Sequence, residues 1–171
     1  PYRTAFHGRV TRIGASDHGL PDAAPGHYYS VLVTRADDPR QDLAAFRTAP
    51  FAYNEPLSQS GWGAPWALAK SQGFSFANRL PTGAHVNSAR AVAEGQADIA
   101  AIDAVTWAMI QRYDPFATDL RVLTRTGESP GQSFITGPGA DPAPFRAALT
   151  QAITALPQDA ADTLMLRAVI P

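Results

Sequence analysis

Hydrophobic and polar positions along this chain switch repeatedly between the spacing of a strand and the spacing of a helix. Residues 28–35 (YYSVLVTR) have the β-branched, alternating composition of a strand, and residues 86–94 (VNSARAVAE) have a helical pattern that ends at Gly95. The pattern predicts further strands over residues 50–53, 97–103, 120–126 and 133–136, and further helices over residues 41–46, 62–72, 104–112, 144–155 and 160–168. Strands that alternate with helices in this way predict an α/β fold with mostly parallel strands.

A short polar segment, residues 54–62 (NEPLSQSGW), joins the strand at 50–53 to the helix at 62–72. It brings the hydroxyl groups of Ser58 and Ser60, together with several backbone N–H groups, to the start of a helix. The N–H groups of a first helical turn lack partners within the helix, and the helix dipole places partial positive charge there. Such a turn can bind a phosphate-like anion without a cationic side chain, although a serine at this place is also an ordinary helix cap.

Polar turns also adjoin other predicted strands. The segment 82–85 (TGAH) precedes the helix at 86–94, Asp103 ends the strand at 97–103, and residues 26–30 (GHYYS) begin the first strand. Ligands of open α/β sheets bind beyond the carboxyl ends of the strands. The sequence therefore predicts a polar pocket for a small molecule, lined by two hydroxyl groups, an imidazole, a carboxylate and a tyrosine.

Composition narrows the possible functions. The chain has 171 residues, a net charge of -1 and 17% charged residues, so nothing in its charge favours a nucleic-acid partner or an acidic membrane surface. It contains no cysteine, which excludes disulfides, thiolate metal sites and cysteine nucleophiles. Four scattered histidines without ligand spacing predict no metal site, and no cofactor is expected. No apolar stretch has the length of a membrane span, and because the chain begins at Pro1 rather than Met we expect it to be a piece of a longer protein.

Three stretches carry a family resemblance when they are taken in order. They are G-x-YYSVLV from residue 26, AYNEP-x-S-x-SG from residue 52, and G-x-H-x-x-S-x-x-AVA-x-G-x-AD-x-AAID from residue 83. This series, spanning residues 26–135, resembles the phosphate-, phosphite- and phosphonate-type substrate-binding proteins of ABC importers. The resemblance implies a two-lobe type II periplasmic-binding-protein fold with two crossover strands, a periplasmic location and an ABC permease as partner. It also implies that the opening segment of the first lobe is missing from this chain.

The resemblance further implies which residues hold a small phosphorus oxyanion or phosphonate in a cleft between the lobes. The expected ligand-binding residues are Ser58, Gln59, Ser60, Gly61, His85, Asp103 and, from the first lobe, Tyr28 or Tyr29. In this scheme residues 58–61 form the loop that holds the oxyanion, with Gln59 where the family often has threonine. His85 would donate to an anion oxygen, and Asp103 would meet a ligand amine or a protonated phosphoryl oxygen.

Other interpretations of these residues remain open. His85 and Asp103 can each serve as the cap of the helix that follows, and Asp103 can do so while also meeting the ligand. A serine hydrolase that uses Ser60, His85 and Asp103 is the competing hypothesis, but Ser58 and Trp62 occupy the glycine positions of a Gly-x-Ser-x-Gly elbow. We therefore expect a binding protein without catalytic residues. A ligand-sensing domain of a regulator or receptor with the same fold is the alternative to an importer component.

The expected lobes divide the chain unequally. The second lobe would run continuously over residues 36–126, and the first would combine residues 1–35 with residues 127–171. The chain would cross between them near Arg35 and near Gly127, so that closure around a ligand would be a hinge motion.

Overall fold

A computed structural model describes residues 5–171 and divides the chain into two units. The first combines Pro1–Tyr28 with Glu128–Pro171, and the second is the continuous stretch Tyr29–Gly127. The continuous unit therefore begins seven residues before the expected boundary at residue 36, because the strand Ser30–Arg35 is an inner strand of its sheet. None of the helices in residues 5–171 is both long and apolar enough to cross a membrane.

The continuous unit is built on a five-stranded sheet. Its strands, in spatial order, are β5 (Asn78–Pro81), β4 (Pro50–Tyr53), β6 (Ile99–Asp103), β3 (Ser30–Arg35) and β7 (Leu120–Arg125). β4 is parallel to β5 and β6, whereas β3 is antiparallel to both β6 and β7. Helical crossovers precede β5, β6 and β7, which keeps those strands parallel to β4, whereas the connection from β3 to β4 starts and ends at the same edge of the sheet and leaves β3 antiparallel. The expectation of mostly parallel pairing is thus wrong for the two ladders of β3.

Helices cover both faces of this sheet. Alternation along β3 sends Val31 and Val33 to one face and Leu32 to the other. The first face packs against α2 (His85–Ala93) and α3 (Ala104–Tyr113), and the second packs against α1 (Ala64–Ser71) and a 3₁₀ turn at Leu43–Phe46. A second 3₁₀ turn, Pro115–Asp119, leads from α3 into β7. The three layers leave the ends of the strands as the places where loops collect.

The discontinuous unit contains two small antiparallel sheets. β1 (Thr11–Asp17) lies between β9 (Ser133–Thr136) and β10 (Ala168–Ile170), and β2 (His27–Tyr28) pairs with β8 (Ser129–Pro130). Two helices follow β9, namely α4 (Pro142–Thr154) and α5 (Gln158–Leu164). The predicted helix over residues 160–168 is wrong at its end, because Met165 adopts a left-handed conformation and residues 168–170 pair with β1 instead.

Candidate functional site

The carboxyl ends of three neighbouring strands carry most of the residues that the sequence singled out. β5, β4 and β6 run in the same direction, so their carboxyl ends meet at one edge of the sheet. From that edge the chain turns into a helical segment that starts at Gln59, into α2 at His85 and into α3 at Ala104. Three helix N-termini, each with the partial positive charge of the helix dipole, therefore adjoin this edge.

Ser58 shapes the first of these turns. Its extended backbone conformation (φ -68°, ψ 127°) ends the loop after β4, and its Oγ accepts a hydrogen bond from the Gly61 N–H at 2.9 Å. Its carbonyl oxygen accepts from the N–H groups of Trp62 and Gly63 at 3.2 and 2.9 Å, which opens a wide π turn over Gln59–Gly63 before α1 begins. Ser58 is thus a helix cap whose hydroxyl is buried at the turn.

Gly61 is required at this turn because there is no room for a side chain. A Cβ atom at this position would overlap with Oδ1 of Asn54 and would lie 3.2 Å from Oγ of Ser58. Within residues 5–171 the buried Asn54 Oδ1 has no hydrogen-bond partner. Gly61 therefore lets the backbone of the turn approach the loop after β4 at a distance that no other residue permits.

The second turn contributes His85, which lies directly against Ser60. Nε2 of His85 is 2.9 Å from Oγ of Ser60, and Nδ1 is 3.2 Å from the carbonyl oxygen of Ala101 on β6. A carbonyl oxygen can only accept, so Nδ1 carries the hydrogen, and in the neutral imidazole Nε2 accepts from the Ser60 hydroxyl. Burial lowers the pKa of His85 below its usual value, although the Asp103 carboxylate and the Ala101 carbonyl oppose this shift.

Asp103 ends β6 and caps α3. Its Oδ1 accepts hydrogen bonds from the N–H groups of Val105 and Thr106 at 2.9 and 3.0 Å, and the residue is only 4% exposed. The helix-cap interpretation of Asp103 is therefore confirmed. The same carboxylate also acts electrostatically on His85, so it belongs to the surroundings of the Ser60–His85 pair.

The two tyrosines fall in different units. Tyr28 lies in β2 of the discontinuous unit, where it is buried and pairs with Ser129. Tyr29 opens the continuous unit, and its carbonyl oxygen accepts from the Ala104 N–H at the start of α3. The guanidinium of Arg125 lies 4.9 Å from the centre of the Tyr29 ring. Tyr29 is therefore the tyrosine that adjoins Asp103 within the continuous unit.

The structure thus joins four of the expected residues through hydrogen bonds: Ser58, Ser60, Gly61 and His85. Gln59 is exposed on the same turn, and its Oε1 lies close to Gly63. Sequence reasoning missed the Ala101 carbonyl, which orients His85, and nothing in the sequence marks one backbone carbonyl of a buried strand over another. It also passed over Asn54, although this residue lies in the segment that was singled out. The described residues contain no group of three side chains that could hold a metal ion.

Comparison with known proteins gives a consistent result. The family model described as "ABC transporter, phosphonate, periplasmic substrate-binding protein" matches residues 12–170. No curated protein sequence matches the chain. Among solved structures, XAC2383 from Xanthomonas citri bound to ATP is 22% identical with a TM-score of 0.73, and 96% of this chain aligns with 66% of that one.

Two further solved structures are of phosphonate-related proteins. A binding protein component of an ABC phosphonate transporter from Pseudomonas aeruginosa is 19% identical with a TM-score of 0.68, and 94% of this chain aligns with 55% of that one. PhnD1 from Prochlorococcus marinus in complex with methylphosphonate is 15% identical with a TM-score of 0.66, and 77% of this chain aligns with 50% of that one. These likenesses show the type II periplasmic-binding-protein fold, and the chain spans about two thirds or less of the length of each protein.

Proposed function

Since the chain belongs to the family of periplasmic substrate-binding proteins of phosphonate ABC transporters, we propose that it is the solute-binding component of an ABC importer that captures a small phosphorus oxyanion or phosphonate. One observation carries the choice of site. The turn at residues 58–61 joins two buried hydroxyl groups to a half-buried imidazole at the edge where three helices begin. An ABC permease would receive the ligand, as it does in this family.

The chemistry of the turn suits an anion. Helix N-termini present N–H groups and partial positive charge, and anions bind there without a cationic side chain. The Oγ atoms of Ser58 and Ser60 lie 3.4 Å apart, and Ser58 and Ser60 are 6% and 8% exposed. Hydrogen bonds to a charged acceptor are each worth about 1.5–3 kcal/mol, so the two hydroxyl groups together would contribute about 3–6 kcal/mol to the binding free energy.

Asp103 would select among anions. Its Oδ1 is occupied by the start of α3, so the ligand would be met by the other carboxylate oxygen. A carboxylate repels a fully deprotonated oxyanion, but it accepts a hydrogen bond from a protonated phosphoryl oxygen or pairs with a ligand ammonium group. We therefore expect a preference for ligands that carry such a proton over sulfate.

The same contacts do not favour a hydrolase. Ser60 and His85 form the hydrogen bond that a nucleophile–base pair requires, but the second nitrogen of His85 donates to the Ala101 carbonyl. Asp103 spends its Oδ1 on the N-terminus of α3 instead of on the imidazole. The imidazole therefore lacks the hydrogen bond to a carboxylate that orients it in a catalytic triad. A ligand-sensing role in a regulator or receptor would use this same site and remains the alternative to transport.

Calorimetry on the Ser58→Ala/Ser60→Ala double variant tests the site. Phosphate, phosphite, methylphosphonate and sulfate are titrated into the wild type and the variant. Loss of two hydrogen bonds to a charged ligand should weaken binding of the preferred anion by about 100-fold or more. Ser71→Ala is the matched control, because Ser71 lies at the other end of α1 and its hydroxyl donates to the Leu68 carbonyl.

Two results would count against the proposal. Equal affinity of the double variant and the wild type for the preferred anion would exclude the turn at 58–61 as the site. Hydrolysis of a p-nitrophenyl ester or phosphoester that disappears in Ser60→Ala would instead show an enzyme. A thermal melt of each variant separates loss of binding from loss of the Ser58 cap, which by itself costs about 1 kcal/mol.

A further inference from the structure

The hydroxyl protons at the 58–60 turn are used internally in the ligand-free protein, and we propose that capture of an oxyanion at this turn is coupled to the uptake of one proton by His85. This inference rests on the function proposed above and concerns the same site. It follows from the direction in which each hydrogen bond of the turn must run.

One end of the hydrogen-bonded chain is fixed by the backbone. The Ala101 carbonyl oxygen offers only lone pairs, so the His85 Nδ1 at 3.2 Å must donate to it. The other neutral tautomer would place a nitrogen lone pair against this oxygen and leave both groups unsatisfied in a buried place. Neutral His85 therefore has its lone pair on Nε2, and Ser60 is the donor across the 2.9 Å contact.

The rest of the chain follows from this donor. Ser60 spends its single hydroxyl proton on His85, which leaves its oxygen as an acceptor toward Ser58 at 3.4 Å. Ser58 in turn accepts from the Gly61 N–H, and its own proton is directed to Ser60. In this arrangement the two serines direct lone pairs toward the ligand. An oxyanion is repelled by lone pairs and requires hydrogen-bond donors.

One added proton reverses the arrangement. When a proton from solvent binds Nε2 of His85, the imidazolium donates to the oxygen of Ser60 and Nδ1 keeps its bond to Ala101. Ser60 then accepts from His85 in place of Ser58, so both hydroxyl protons are available for the anion, and the only covalent change is the transfer of one proton from solvent to Nε2. The positive charge on His85 also compensates the negative charge that enters a buried place.

The surroundings of the imidazole make this step conditional on the ligand. Burial favours the neutral form in the free protein, and the Asp103 carboxylate at the end of β6 is the charged group that opposes it. An anion at the turn adds a second negative charge, which raises the pKa of His85 and favours the imidazolium. His85 thus gains its proton with the ligand rather than before it.

The charged groups on the other packing elements include one, Arg125, at the same end of the sheet as Asp103. On β3, Arg35 lies at the opposite end of the strand from the Ser30–Asp103 pairing, next to β7 residue Leu120. Arg90 of α2 itself contacts Asp114 and the Phe116 ring. Arg79 on β5 lies over the Trp62 ring, and Arg112 on α3 lies over the Tyr113 ring. On β7, Arg125 lies over the Tyr29 ring and Arg121 donates to the carbonyl oxygens of Asp38 and Arg40. Asp119 precedes β7, and Glu55 after β4 is exposed. Tyr53 of β4 stacks on the opposite face with Phe51.

The coupling predicts the pH dependence of affinity and its sign. Below the His85 pKa of the free protein the imidazole is already protonated, so affinity does not change with pH on its account. Between that pKa and the higher pKa of the complex, the dissociation constant rises by up to about tenfold per pH unit, because each binding event must bring in one proton. Above the pKa of the complex His85 is neutral in both states, so the affinity again does not change with pH on its account.

Nitrogen NMR of the imidazoles tests the proposal directly. Long-range ¹H–¹⁵N spectra of the 171-residue chain contain four histidines, and His85→Gln identifies the signals of His85. Spectra are recorded at pH 7.5 with and without saturating methylphosphonate, whose own titration does not enter this measurement. We expect the His85 Nε2 to change from an unprotonated to a protonated shift on binding, while Nδ1 stays protonated throughout.

The possible outcomes separate this inference from the proposed function. Binding of methylphosphonate with an unprotonated Nε2 in the complex overturns the proton uptake and leaves the binding function standing. Absence of binding by phosphate, phosphite and methylphosphonate overturns both. As a matched control, His18→Gln removes a histidine of the other unit that contacts the Met165 carbonyl, and it should keep the wild-type dependence of affinity on pH.

Discussion

Replacing Gly61 by alanine should destabilise the continuous unit, although alanine is the better helix former. Alanine in place of glycine inside a helix normally gains about 1 kcal/mol. Here its Cβ would overlap with the buried Oδ1 of Asn54, and a crowded site of this kind costs about 1–3 kcal/mol. The shift needed to relieve the overlap also disturbs the 2.9 Å bond from the Gly61 N–H to Ser58, and loss of a cap costs about 1 kcal/mol. The net expectation is a loss of about 1–3 kcal/mol.

Gly63→Ala is the matched control, two residues further along the same helical segment. Gly63 has helical backbone angles (φ -62°, ψ -49°), and its Cβ would approach the end of the Gln59 side chain, which can move aside. Gly63→Ala should therefore be neutral or stabilising by up to about 1 kcal/mol.

Urea unfolding followed by tryptophan fluorescence provides the assay, since all three tryptophans lie in the continuous unit. The fluorescence transition then reports the unit that carries the substitution, whether or not the two units unfold together. If Gly61→Ala is as stable as the wild type, or if Gly63→Ala loses as much as Gly61→Ala, the steric argument is refuted. Methylphosphonate affinity should also fall in Gly61→Ala and stay unchanged in Gly63→Ala.

Two further predictions concern carboxylates at opposite ends of the sheet. Asp103→Asn keeps an oxygen for the cap of α3 but removes the charge. In calorimetry it should lower the affinity for a phosphonate that carries an ammonium group and reduce the difference in affinity between that ligand and sulfate. A change in stability with an unchanged ligand ranking would show that Asp103 serves only as a helix cap. At the other end, hydrogen bonds from Arg40 lower the pKa of buried Asp38 to about 2, so its stabilisation is complete above about pH 4 and is lost as the pH falls toward 2. Asp38→Asn should cost about 2 kcal/mol at pH 7 and remove that acid-side slope from urea melts; an unchanged slope would refute this.

The strands and helices of this fold could be predicted where their own composition is sufficient. β4 and β9 have the bounds that the sequence predicts, because a short apolar run between polar turns leaves little choice. β1 (TRIGASD) was missed, since three of its four consecutive buried positions are glycine, alanine and serine, which give no alternation. Gly14 is small because the backbone of Ile170 lies against it, a neighbour that comes from the other end of the chain. The direction of β3 could not be predicted either, because it depends on pairing with β6 and β7, which follow much later in the chain.

The candidate site divides along similar lines. The residues of the 58–61 turn and His85 could be found because hydroxyl groups, glycine and imidazole stand at predicted helix starts. The contact between Ser60 and His85 was not derivable from their spacing, since it depends on how α2 packs across β6 and β4. The role of the Ala101 carbonyl depends on the same packing. Sequence therefore supplied the chemical groups, and tertiary packing determined the direction of their hydrogen bonds.

The placement of β1 has a consequence for how this chain is made. Its two partners, β9 and β10, are synthesised only after the whole continuous unit, so β1 leaves the ribosome long before it can pair. An unpaired strand rich in large β-branched residues would be prone to aggregation during that interval. β1 instead carries a single large β-branched residue, Ile13, beside glycine, alanine, serine and a terminal aspartate. The weak hydrophobic pattern that makes this strand hard to predict also lowers its tendency to aggregate before β9 and β10 have been synthesised.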